Sequence, residues 1–203
     1  MTVPISLRRI VAVVARISVV PAVVSFRLRM ALFGEVAAIT GSSEKASKWS
    51  GTAGILRRRA LYGTLLATVG EKFSVGFGTV MSSTRVRIGH RVYIGQHCSL
   101  GQVEIGDDSM VADHVVIPSG ARQHGTARTD VPMRLQPGES AIIRIGQDCW
   151  VGSGAIVLAD VGDHAIVAAG AIVTKPVPAY SVVAGGQARV VTTRGRPGDP
   201  GTE

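Results

Sequence analysis

From residue 88 to residue 172 the apolar positions return on a six-residue beat. Read from a branched aliphatic, the chain spells IGHRVY (88–93), IGQHCS (94–99), IGDDSM (105–110), VADHVV (111–116) and IPSGAR (117–122). After a gap it spells IGQDCW (145–150), VGSGAI (151–156), VGDHAI (161–166) and VAAGAI (167–172). Position one is Ile or Val, position two is usually Gly or Ala, and position five is small. Matches repeated this densely define an internal repeat. They predict short strands that turn a corner after every hexad, with the aliphatic filling the interior and the small residue fitting the corner. One such turn cannot bury its own core, but a stack of turns can, so the pattern predicts a solenoid. The beat falls one residue short after Leu100 and two short after Val157, without losing its phase.

The flanks follow other rules. Residues 1–35 are apolar and basic and predict one or more helices. Residues 40–54, TGSSEKASKWSGTAG, are polar and rich in Gly and Ser, and predict a loop. Residues 55–69 predict a short helix ending at Gly70. Residues 192–203, TTRGRPGDPGTE, have no apolar period and predict a disordered tail. The chain is therefore expected to divide into a helical extension (1–70), a β solenoid (71–191) with an extruded loop at 122–142, and the tail.

Composition supports a thin β structure. Of the 203 residues, 46% are apolar but only 4% aromatic, and 25 are glycine. A core of small branched side chains suits tight coils. Cys98 and Cys149 fall at equivalent small positions of the repeat, which predicts buried reduced thiols and a reducing, cytoplasmic setting.

The net charge of +8 points to an anionic partner or to a solvated basic face. No aromatics are interleaved with the basic residues, so no nucleic-acid partner is expected. The segment RRIVAVVARISVVPAVVSFRLRM resembles a signal peptide, yet it lacks a convincing cleavage site, and Arg16 and Pro21 interrupt it. Ile10 to Phe26 is barely long enough to span a bilayer, with Arg16 near its middle. Arg9 to Arg16 is seven residues and Arg16 to Arg27 eleven, about two and three helical turns. All three arginines then share one helix face. Residues 5–30 are expected to lie at the inner surface of the cytoplasmic membrane, in the headgroup region of an anionic leaflet. The alternative is that this helix packs on the protein or in an oligomer.

Chemistry enters where the beat stops. IPSGARQHGTARTD (117–130) closes the first run of hexads and opens an extruded segment, and His124 sits at the break. Loops carried on a rigid scaffold are where chemistry concentrates. The chain has five histidines; His90, His97, His114 and His164 occupy the variable corner positions of hexads and read as surface residues.

The tandem [ILV]-[GA]-x-x-[small]-x hexads resemble those of the hexapeptide-repeat acyltransferases. IGQDCWVGSGAIV and VAAGAIVTKPVPAYSVVAGGQARVV look like the last coils of acetyl-CoA-dependent sugar O-acetyltransferases. VGEKFSVGFGTVMSSTRVRIGHRVYIG looks more like the branch associated with surface polysaccharides. The resemblance covers about residues 86–191. It implies a mainly β fold, a left-handed parallel β-helix with an N-terminal helical extension; the handedness comes from the resemblance alone. It also implies a homotrimer with sites between subunits.

The implied reaction is acetyl transfer from acetyl-CoA to a hydroxyl of a sugar or polysaccharide precursor, with no metal required. A sugar hydroxyl attacks a thioester only when a base removes its proton, and the resemblance assigns that base to His124. Gly152 is implied as the backbone donor to the tetrahedral oxyanion. Trp150, Ser153, Ala169, Gly170, Thr174, Lys175 and Arg189 are implied contacts to the coenzyme, Lys175 and Arg189 toward its phosphates. A serine nucleophile is disfavoured, because SGARQH lacks the elbow spacing. The coil YIGQHCSLGQV is shorter than in the sugar enzymes, so the acceptor is open. Arg122, Arg128 and Arg134 in the loop would favour an anionic one.

Alternatives remain. One is N-acetylation of a nucleotide-linked amino sugar or of an antibiotic. Another is a non-catalytic trimeric scaffold. A third is a zinc carbonic anhydrase, for which His90 and His124 are thirty-four residues apart but Thr129 stands where a further histidine is needed.

Overall fold

The structure, a computed structural model, describes residues 5–195. Three helices precede the solenoid: α1 (Ile5–Ser18), α2 (Val20–Ser47) and α3 (Gly51–Leu65). Pro21 stands in the first turn of α2, where a missing N–H costs nothing. Gly34 breaks α2 into two stretches, with φ 81° and ψ 177°, a conformation a side chain would resist.

The loop expected over 40–54 is not there. Helix α2 runs on to Ser47 and α3 begins at Gly51, leaving a short connection. Small polar residues let the end of α2 lie flush on the first coil, and tertiary contacts override their weak helix preference. Ser43 Oγ lies 2.8 Å from the Tyr62 hydroxyl and accepts the Met81 N–H at 2.7 Å. Gly78 N–H donates to Ser47 O at 2.9 Å. Ala38, Ile39, Ala46, Leu61 and Leu65 pack between the helices. Arg58 pins helices to solenoid: it is 1% exposed, its Nε donates to Val75 O at 2.8 Å, and its Nη1 donates to Trp49 O.

The chain then winds through three sheets in turn, forming a left-handed parallel β-helix of about six turns. The first coil holds β1 (Thr68–Val69), β2 (Ser74–Val75) and β3 (Val80–Met81). The second holds β4 (Arg87–Ile88), β5 (Tyr93–Ile94) and β6 (Ser99–Leu100), and the third β7 (Val103–Ile105), β8 (Met110–Val111) and β9 (Val116–Ile117). After the loop come β10 (Ile143–Ile145), β11 (Trp150–Val151) and β12 (Ile156–Val157). Strands β13 (Ile166–Val167), β14 (Ile172–Val173) and β15 (Ser181–Ala184) follow, and β16 (Arg189–Thr193) closes the fold. Face A is β1-β4-β7-β10, face B runs from β2 to β16 through β5, β8, β11, β13 and β15, and face C is β3-β6-β9-β12-β14. Beyond the two-residue slip after Val157, face A continues only as two isolated bridges, Ile145 to Val161 and Val161 to Val177.

The hexad is read out directly. Position-one residues such as Ile88, Ile105, Val151 and Val167 are fully buried, as are position-five residues Cys98, Cys149, Ala155 and Ala171. Both cysteines are free and buried, as the repeat predicts. Position four turns the corner in the left-handed region: Arg91, His97, Asp108, His114, Asp148 and His164 all have φ between 48° and 60°. Position-three aspartates tie coil to coil. Asp107, Asp113 and Asp163 accept the N–H of His90, Gln96 and Gln147 at 2.7–2.9 Å.

The solenoid starts at Thr68, slightly ahead of the expected boundary. Thr192 and Thr193, expected in the tail, belong to β16, which folds back antiparallel on β15. Arg194 fastens that turn, its Nη1 lying 2.9 Å from Asp148 Oδ2. The rest of the expected tail, 196–203, lies outside the described residues, as do residues 1–4.

Candidate active site

The interruption of the beat becomes an arm. Residues 118–142 leave β9 at the corner between faces C and A and return to β10. Its root is anchored: Ser119 Oγ accepts the Gln102 N–H at 2.9 Å, and Gly120 turns the chain with φ 83°. The two limbs are stitched together, Ala141 N–H to Ser119 O at 2.9 Å and Glu139 N–H to Arg122 O at 2.7 Å. Farther out, the Gln136 carboxamide holds the tip. It accepts the Arg128 N–H at 3.1 Å and donates to Arg128 O and Val131 O at 2.7 and 2.8 Å.

His124 lies on this braced arm, exposed to solvent. The other histidines are engaged. His90 Nδ1 accepts the Glu71 N–H at 3.0 Å, and His164 Nδ1 lies 3.1 Å from Asp148 Oδ2. His97 and His114 stack with ring centroids 5.1 Å apart. Among the described residues the His124 imidazole alone has neither hydrogen bond nor ring contact. The structural hydrogen bond that would make it an ordinary loop residue is not formed.

The other expected site residues fall in three places. Gly152, Ser153, Ala169 and Gly170 share the corner between faces B and C, on successive coils, with Gly170 N–H donating to Ser153 O at 2.9 Å. Thr174 and Lys175 follow β14 on the corner between faces C and A, the corner from which the arm springs. Trp150 and Arg189 lie on face B; Trp150 is 50% exposed. Faces C and its two corners therefore gather most of the expected residues. The arm and the small-residue corner stand at opposite edges of face C.

Two expectations change. Gly152 does not offer an N–H, because it donates to Val167 O at 2.7 Å. Its lack of a side chain serves packing instead, since a Cβ there would meet Ala169 N at 2.5 Å. The next residue, Ser153, is exposed, and its N–H has no acceptor among the described residues. The register between coils decides which of the two is free, and a single repeat does not carry that information. Two of the three loop arginines are also paired within the arm: Arg128 with Asp130, and Arg122 with Glu139 at 3.5 Å. The Arg128 guanidinium holds the Asp130 carboxyl below its usual range.

His97 and His114, surface residues by their hexad position, are not separate. They form a step with Phe77, whose ring meets His97 edge-on at 5.6 Å, and they occupy the same corner as Ser153. Their shared hexad position on stacked coils was the signal. Among the described residues, no group of three or more His, Cys, Asp or Glu side chains is placed to hold a metal ion.

The model for the hexapeptide repeat of succinyl-transferase matches residues 142–175. No curated protein sequence matches the chain. Among solved structures, a maltose O-acetyltransferase from Clostridium difficile 630 superposes with a TM-score of 0.69 at 20% identity, covering 79% of this chain and 89% of its own. A galactoside acetyltransferase in complex with coenzyme A gives 0.63 at 24%, covering 77% and 79%. An N-acyltransferase from Bacillus cereus, AntD, in complex with dTDP and coenzyme A, gives 0.56 at 14%, covering 69% and 90%. With its template repeated from coil to coil and its strands wound through three parallel faces, this chain has the hexapeptide-repeat β-helix fold, and over residues 142–175 it is similar to the hexapeptide repeat of succinyl-transferase.

Proposed function

We propose that the protein transfers an acetyl group from acetyl-CoA to a hydroxyl of a sugar or polysaccharide precursor, with His124 as general base. The observation that carries this reading is His124 itself, an unpartnered imidazole on an arm braced from within, at the one break in a rigid solenoid. A base held this way takes the hydroxyl proton as the oxygen attacks the thioester carbonyl, and returns it to the departing thiolate. The Ser153 N–H is the donor for the oxyanion. The coenzyme lies along the coils beside face C, its phosphates toward Lys175 and Arg189. The neighbours that carry coenzyme A support this use of the fold.

The working unit is a homotrimer. Face A is charged, with Arg144 lying 3.8 Å from Glu104, whereas faces B and C present largely apolar ladders. The arm and the Ser153 corner lie at opposite edges of one chain, so the arm of one copy meets the corner of the next. The exposed aliphatics of α1 and α2, among them Ile10, Val14, Ile17 and Leu28, hold the assembly at the inner face of the cytoplasmic membrane. The likeness to AntD supports a second reading, N-acylation of a nucleotide-linked amino sugar, for which the same base serves.

The test is mass spectrometry of products from acetyl-CoA and a panel of activated sugars and amino sugars, with wild type and His124→Ala. Loss of the base lowers the rate by about 10²–10⁴. Equal transfer by both proteins overturns the assignment. The product that forms separates O- from N-acylation.

A further inference from the structure

The arginine face of the N-terminal helices does not simply look outward. It borders a groove of about 930 Å³ between α1–α2 and α3 with the first coil. Arg9, Arg16 and Arg27 line it from one side and Arg59 from the other. Arg9, Arg16 and Arg27 have no ion pair and no side-chain hydrogen bond among the described residues. Arg59 sits 5.8 Å from the centroid of the Phe73 ring. The single carboxylate on the groove, Glu71, leaves its four arginines with a net formal charge of three positive.

The floor is apolar, built from Val19, Val23, Leu56 and Phe73. Like charges gathered without partners repel one another, and an anion relieves that repulsion through charge-assisted hydrogen bonds. An apolar floor has no use for a bare anion, which keeps its hydration. The volume is near the upper end of the roughly 300–1,000 Å³ of small-molecule sites, enough for a headgroup and a length of hydrocarbon. The groove also opens beside the exposed aliphatics of α1, so a chain leaving it meets the surface best suited to a bilayer.

We propose that this groove binds an anionic lipid, with its phosphate at Arg16, the middle of the arginine row, in the field of Arg9, Arg27 and Arg59, and the start of its hydrocarbon chain on the Val23–Phe73 floor. The site stands on the helices and the edge of the first coil and does not rest on acyl transfer.

The experiment measures binding of dodecyl phosphate below its micelle concentration to the full chain by calorimetry, with inorganic phosphate and dodecyl maltoside as separate probes. Dodecyl phosphate binds at least about tenfold tighter than either, because only it satisfies both charge and floor. The double variant Arg16→Glu, Arg27→Glu loses at least about tenfold, while Arg85→Glu, Arg87→Glu, with the same charge change on the solenoid, keeps wild-type binding. Gly63→Phe blocks the groove without disturbing α3, since a Cβ at Gly63 meets only Val69 at 3.9 Å. It too loses binding with an unchanged melting temperature. His124→Ala binds as wild type, which separates this site from catalysis. Equal affinity for inorganic phosphate overturns the lipid assignment. Equal losses in both charge-reversal variants, or full binding by Gly63→Phe, overturn the groove.

Discussion

Gly138 lies flush against the backbone of His124. A Cβ built on Gly138 would stand 2.6 Å from His124 N and 2.0 Å from Gln123 O. The opposing limb has the matching feature, for a Cβ at Gly125 would meet Pro137 O at 2.6 Å. The two limbs of the arm thus approach closer than any side chain permits, and the position of the proposed base is set by that approach.

Gly138→Ala must therefore push the limbs apart by more than a rotamer change can absorb. The arm is outside the hydrophobic core, so the cost falls on geometry rather than on folding. A displacement of about 1 Å at a catalytic group costs on the order of 10²-fold in rate. The expected result is a fall of that size in kcat, with the KM for acetyl-CoA and the melting temperature near wild type. Steady-state kinetics and calorimetry on the same preparation check it.

Helix attachment gives a second outcome. Among the described residues Arg58 is the one cation enclosed between α3, the end of α2 and the first coil, and it satisfies the carbonyls of Val75 and Trp49. Arg58→Met fills much of the volume but leaves those carbonyls buried without donors. Each such loss costs about 1–3 kcal/mol. Chemical denaturation is expected to show a destabilisation of about 3 kcal/mol, whereas Arg57→Met, which removes an arginine stacked 4.1 Å over Trp49, costs much less.

How far the sequence reveals this molecule depends on the distance over which each residue's fate is decided. Ile88, Cys98 and Ala155 are placed by their hexad position alone, and the structure puts them where the pattern does. The break at His124 is legible for the same reason, as a failure of a local rule. Ser43 is different. Its neighbourhood reads as loop, but its hydroxyl meets Tyr62 and Met81, the latter 38 residues away, and those contacts keep α2 helical. Thr192 joins a strand because β15 offers an open edge, which nothing near Thr192 announces. The Gly152 N–H is taken by Val167 through the stacking of coils, and the Arg122 and Arg128 charges are taken within the folded arm. Periodic features are readable; pairings between distant segments are not.

Alkaline conditions test the packing of Tyr62. Burial pushes its phenol up to about 12, although the bonds to Ser43 and the charge of Arg58 pull the other way. Burial also pushes the Cys98 and Cys149 thiols up. In each case the fold holds a proton that the unfolded chain releases first, so stability falls as pH rises. The loss begins near the unfolded thiol value of about 8.5 and steepens from about 10 as unfolded tyrosine ionises. It continues through the folded phenol's value of about 12. Melting curves from pH 7 to 11 are expected to show this decline, and Tyr62→Phe is expected to flatten its upper part. A wild-type melting temperature independent of pH above 10 would contradict the burial of that proton.

The outward ladder on face B sets the last test. Tyr93, Met110, Trp150, Ile166 and Val182 stand in register on successive strands, and Tyr93, Met110 and Trp150 are each about half exposed, at 47%, 48% and 50%. Val116, Ile156 and Ile172 form the equivalent line on face C. Two adjacent apolar faces and one charged face suit a closed three-fold ring of parallel prisms, because each copy offers one face to each neighbour. A charge in the middle of such a ladder is desolvated without a partner on assembly. If the proposed trimer forms, Trp150→Glu is therefore expected to shift the protein to monomer in analytical ultracentrifugation, with the solenoid still folded by circular dichroism. Arg87→Ser, on face A, is expected to leave the trimer intact. The monomer is also expected to lose transfer by at least about 10²-fold, as removal of the base does, because the arm and the Ser153 corner stand at opposite edges of a single chain. A monomeric variant with wild-type turnover would place the whole site within one copy and overturn the shared arrangement.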